Sequence, residues 1–90
     1  MAAITVIALG IYFGISKTEW CLIVIAICMV ISAEAFNTSI EHLTDLVSPN
    51  YHELAGKTKD VAAAAVLITA IGAAILGLII FLPKFQELLG

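Results

Sequence analysis

The sequence predicts an all-α integral membrane protein, and three observations carry that prediction. Of its 90 residues, 62% are hydrophobic and 12% charged, with a mean hydropathy of +1.13, whereas soluble domains lie near roughly 45–50% apolar and 25% charged. The apolar residues gather into three runs separated by short polar stretches. The middle run, Trp20 to Ala33, passes without a break into Glu34, Asn37, Thr38, Glu41 and Asp45. At about 100° per residue these polar side chains fall within about 60° of Glu34, with Phe36, Ile40 and Leu43 turned away from them.

The first run spans residues 2 to 16 and reaches only about 22 Å as a helix, short of a hydrocarbon core of about 30 Å. That shortfall predicts residues upstream of Met1 in the natural chain. Ser16-Lys17-Thr18-Glu19 reads as a capping box, with Ser16 at the N-cap and Glu19 at N3, and starts the second helix. Trp20 follows where a membrane-interface anchor sits. The second span covers about 20 to 46, roughly 42 Å, and projects its acidic end beyond the bilayer. Pro49 and Asn50 stop it, because proline restricts Ser48 and removes a donor while asparagine suits a turn. The polar stretch from His52 to Asp60 leads into a third span at 61 to 82, about 33 Å long, with Pro83 and Lys84 at its far end. Within it Ala65, Thr69, Ala73 and Gly77 recur every fourth residue, a small-residue ladder for close helix packing. Residues 1–90 thus form one membrane domain of three transmembrane helices, too small to enclose much alone, which predicts oligomerisation.

Other classes are excluded by charge and spacing. A net charge of −3 leaves no basic stripe for nucleic acid. Cys21 and Cys28 lie too far apart on one helix to bridge, without neighbours at zinc-ligand spacing. No positively charged segment precedes the first run, so it does not read as a signal peptide. Lys57 and Lys59 flank one membrane face and Lys17 and Lys84 the other, so basic residues do not orient the chain.

Ionisable groups on a membrane helix mark functional sites, and here they leave three readings open. Glu34 and Glu41 with Asn37 between them offer oxygen ligands to Mg²⁺; with the ammonium of Lys59 beside Asp60 they suit phosphoryl transfer. The same row also fits a solvated helix end, or a proton- or ion-conducting carboxylate in a small oligomer.

A resemblance narrows the choice. Glu34-Ala-Phe-Asn37-Thr38-Ser39-Ile40-Glu41, then Asp45, then the stretch from Tyr51 through Lys59-Asp60-Val61-Ala62-Ala63-Ala64-Ala65-Val66 resembles the prokaryotic diacylglycerol kinase family, which includes the undecaprenol kinases. The resemblance covers roughly Trp20 to Pro83. It implies a homotrimer of three-span protomers in the bacterial inner membrane, with active sites at the cytoplasmic face, ATP as cosubstrate with Mg²⁺, and a membrane lipid, diacylglycerol or undecaprenol, as acceptor. By resemblance Glu34 is the general base, Glu41 the metal-binding acid and Asn37 the polar residue between them. Lys59 contacts phosphate, Asp60 positions it or the nucleotide, and Asn50, Tyr51 and His52 fall where the family meets ATP. Asn50 replaces an acid often found there, Ala63 a frequent serine, and Trp20 flanks the lipid.

Family members also carry an amphipathic surface helix and a further acid before the first span. Residues 1 to 16 contain no acid, so the resemblance implies an incomplete metal site. The alternative expectation is therefore a catalytically impaired relative that acts only as a trimeric membrane scaffold.

Overall fold

The computed structural model describes residues 2–90 as three helices: α1 (Ala2–Phe13), α2 (Lys17–Val47) and α3 (Glu53–Leu89). α1 ends three residues earlier than its apolar run because Gly14 takes the left-handed conformation, φ 62°. Its N–H donates to the Ile11 carbonyl at 3.3 Å and that of Ile15 to Gly10 at 3.2 Å, the paired bonds that close a helix C-terminus on glycine. The capping box forms as expected. The Glu19 N–H donates to Ser16 Oγ at 3.1 Å and the Ser16 N–H donates to Glu19 Oε1 at 2.9 Å, so α2 begins at Lys17.

α2 and α3 form an antiparallel hairpin that accounts for nearly all the packing between helices. From Ile23 onward along α2, the half-buried or buried positions are Ile23, Ala26, Ile27, Val30, Ala33, Asn37, Ile40, Glu41 and Thr44, spaced mostly by three or four so that they describe one stripe. α3 answers with Lys59, Ala62, Val66, Thr69, Ala73, Leu76, Ile80 and Lys84. Three of the four ladder residues, Thr69, Ala73 and Gly77, are half-buried within the chain, while Ala65 is exposed beside a groove.

The third helix is longer than the expected span of 61 to 82 and runs past both ends of it. The polar stretch is helical from Glu53, capped by His52, whose Nδ1 accepts from the Leu54 N–H at 3.1 Å. Pro83 lies inside the helix and does not end it, although an interior proline costs about 3 kcal/mol. Two contacts beyond it hold the last turns in place: Lys84 Nζ donates to Glu19 Oε2 at 3.0 Å, and the Phe85 ring meets Phe13 edge-on at 5.0 Å between centroids.

The core is small and lies at the Pro83 end. Ile15, Ile23, Ile80 and Phe81 are buried, with Val6, Leu9, Phe13, Trp20, Ile27 and Leu76 packed around them. Trp20 is thus half-buried: a Cβ on Gly10 would lie 2.7 Å from its Cη2 atom, so glycine there makes room for the indole. Elsewhere large apolar side chains are bare along both long helices, and 6632 Å² of surface is exposed. A compact soluble protein of this mass exposes about 5,000 Å². α2 and α3, with 31 and 37 residues, are long and apolar enough to cross a membrane, and almost none of either apolar stretch is buried within the chain. The 12 residues of α1 rise only about 18 Å.

Candidate active site

The polar residues converge at the other end of the hairpin, where α2 turns into α3. Ser48 closes α2, its N–H donating to the Thr44 carbonyl at 2.8 Å. Four residues later His52 caps α3. This tight reversal brings Asp45 and Lys59 together across the hairpin, Nζ to Oδ1 2.5 Å, with the lysine side chain 38% and the aspartate 62% exposed. The hydrogen bond that Lys59 donates to Asp45 chiefly, with the charges of Asp45 and Glu41 adding, holds the Lys59 ammonium above its ordinary range, against an opposing effect of desolvation. Glu41 lies one turn back from Asp45 along α2.

A cleft of about 170 Å³ opens beside the pair, lined by Asp45, Asn50, Tyr51, His52 and Lys59 together with residues of the turn. Four residues singled out in the sequence, Asn50, Tyr51, His52 and Lys59, thus share one cavity. Tyr51 is 93% exposed, its ring free for a ligand face. The other lysine of this end is engaged locally, Lys57 with Glu53 at 3.4 Å. Asp60 is exposed on α3 and does not line the cleft.

Farther into the hairpin an open groove of about 490 Å³ is lined by Cys28, Met29, Phe36, Asn37, Ala62 and neighbouring apolar residues. The Asn37 Oδ1 atom is buried there and meets no donor. A buried oxygen without a partner carries a desolvation cost of about 1–3 kcal/mol that a ligand can relieve. Glu41 sits one turn from Asn37 on the same half-buried stripe, and Glu34 is exposed one turn before it. Among the described residues no three acids, histidines or cysteines gather into a metal-binding group. Glu41 and Asn37 carry oxygen donors of the type Mg²⁺ takes, one or two from protein with phosphates and water completing the shell.

The pairing of Asp45 with Lys59 is the feature that residue patterns alone did not deliver. Asp45 stood in the acidic row, but its partner lies fourteen positions away across a turn.

Fold and site together define an all-helical membrane protein with a polar, lysine-bearing cleft at the mouth of an apolar hairpin. The family model of prokaryotic diacylglycerol kinases matches residues 1–81. The undecaprenol kinase of Bacillus subtilis is 43% identical over 83 residues, 92% of this chain and 68% of that protein. A diacylglycerol kinase of Synechocystis is 46% identical over 63 residues, 69% of this chain and 36% of that protein. The diacylglycerol kinase of Escherichia coli K12 is 29% identical over 85 residues, covering 94% and 70%. No solved structure matches. The chain belongs to the prokaryotic diacylglycerol kinase family.

Proposed function

We propose that this protein is an ATP-dependent lipid kinase that transfers the γ-phosphoryl group of ATP to the hydroxyl of a membrane lipid, diacylglycerol or undecaprenol. The observation that carries the reading is the juxtaposition of a lysine-bearing polar cleft and an apolar groove along one helical seam, in a chain of this family. A nucleotide needs the first and a lipid tail the second.

In this reading Lys59 binds phosphate, Tyr51 and His52 border the base, and Asn50 lines the same cleft. Asp60, next along α3, positions the lysine or the nucleotide. Glu34 accepts the proton of the lipid hydroxyl as that oxygen forms its bond to the γ-phosphorus and the bond to the bridging oxygen of ADP breaks. Transfer is direct and in line, since among the described residues no side chain is placed as an activated nucleophile beside a base. Glu41 would hold Mg²⁺, with Asn37 orienting Glu34 or a phosphate oxygen beside it, and the metal would supply charge neutralisation on the phosphates. α1 is the first of the three spans of the protomer, the protomer is one of three in a homotrimer, and the cleft opens to the cytoplasm from the bacterial inner membrane.

The test is labelled ATP with diacylglycerol or undecaprenol in mixed micelles, with and without Mg²⁺. Labelled phosphatidic acid or undecaprenyl phosphate that appears only with Mg²⁺ supports the reading and identifies the acceptor. Transfer indifferent to Mg²⁺ would sink it. No transfer to either lipid favours the scaffold role instead.

A further inference from the structure

We propose that Asp45 is a place-keeping counter-ion for Lys59, neutralising it while the cleft is empty and yielding it to phosphate when a nucleotide enters. The proposal rests on the kinase reading above and adds to it a residue that sets nucleotide affinity and release. Asp45 is a positioning residue that acts through Lys59.

The geometry supplies the argument. The contact joins two helices across the cleft mouth, and both partners line the cleft itself. With side chains 38% and 62% exposed, the pair is of the solvent-screened kind that exchanges readily and contributes little to stability. A polyphosphate arriving between Tyr51 and Lys59 meets an ammonium already matched by a carboxylate. Three donors on the ammonium let it turn from Asp45 to phosphate without leaving its position. Asp45 then stands beside the bound phosphates as an uncompensated negative charge, which favours their departure. The pair at the opposite end, Glu19 with Lys84, lacks these properties: its side chains are 26% and 25% exposed, and Glu19 also accepts from the Ser16 N–H.

Equilibrium binding of ATP and ADP to the full chain in lipid nanodiscs tests the proposal, with adenosine as a phosphate-free control. Asp45→Asn is expected to tighten both nucleotides about two- to five-fold, the range of an exposed ion pair, and to leave adenosine unchanged. Asp45→Glu is expected to restore wild-type affinities, and in a Lys59→Gln background the gain from Asp45→Asn is expected to vanish. Asp45→Ser, equally neutral, gives the same reading should the asparagine variant fail to fold. Weaker or unchanged nucleotide binding in the neutral variants, with wild type binding ATP normally, overturns this proposal alone. A wild-type chain that binds neither nucleotide overturns the kinase reading and this proposal with it.

Discussion

The hairpin of α2 and α3 is closed at each end by a lysine–carboxylate pair, and the two ends are built for different purposes. At the Pro83 end, Glu19 is enclosed: one oxygen caps α2 through Ser16, the other accepts from Lys84, and the buried cluster of Ile15, Ile23, Ile80 and Phe81 lies beneath. At the turn end, Asp45 and Lys59 stand in the open beside a cleft, with no buried cluster behind them and a buried oxygen of Asn37 that has no donor. In lipid, apolar surface alone does not drive helices together. Packing and capping must hold one end so that the other can keep polar groups available. The same chemical pair therefore serves as a clasp where it is enclosed and as a binding element where it is open.

The largest expected effect lies in the acidic row of α2, farther into the hairpin than the turn. Glu34→Gln is expected to lower phosphoryl transfer about 100-fold or more, in the range of lost general-base catalysis, while ATP binding measured by equilibrium dialysis stays intact. Near-normal turnover would remove Glu34 from the role of base. At the Pro83 end, Gly10→Val pushes a branched side chain into Trp20, and overpacking of this kind costs about 1–3 kcal/mol. Thermal unfolding in detergent is expected to shift down accordingly. Emission from Trp20, the single tryptophan, is expected to move as the indole leaves its seat.

The smallest effects are in pH dependence, and the two ends differ in sign. The backbone hydrogen bond from Ser16 first, and the Lys84 hydrogen bond next, hold the Glu19 carboxyl below its ordinary 4.5. Its contribution is therefore present above that value and lost as pH falls through the lower folded one. Lys59 is held above its ordinary 10.5, so its contribution is present below that value and lost as pH rises through the higher folded one. Glu19→Gln is expected to flatten the acid side of a stability–pH curve, and Asp45→Asn the alkaline side. An acid-side change in Asp45→Asn with none in Glu19→Gln would reverse the assignment of the two pairs.

What the sequence disclosed follows the range of the interactions involved. The Ser16–Glu19 box and the stop at Ser48-Pro49 are local, encoded within four residues, and both appear where expected. The acidic row is also local, because helical spacing alone puts Asn37 and Glu41 on one stripe. The continuation of α3 through Pro83 is not legible locally, because the contacts beyond it, Lys84 with Glu19 and Phe85 with Phe13, come from more than sixty residues away. The packing of Trp20 against Gly10, where α1 folds back, is likewise beyond what local spacing specifies. The meeting of Asp45 with Lys59 depends on how tightly the Ser48–His52 turn reverses the chain, which residue spacing does not specify. The family pattern named most of the cleft residues; only the folded hairpin shows which of them share a cavity.

The most direct measurement is amine labelling of the four lysines, followed by mass spectrometry, with and without saturating Mg²⁺ and ATP. Lys17, Lys57, Lys59 and Lys84 sample both ends of the hairpin in one experiment. Protection confined to Lys59, with Lys17 and Lys84 unchanged, is the predicted result. Equal labelling of Lys59 in both conditions, or protection at Lys84 instead, would contradict the placement of the nucleotide at the turn end.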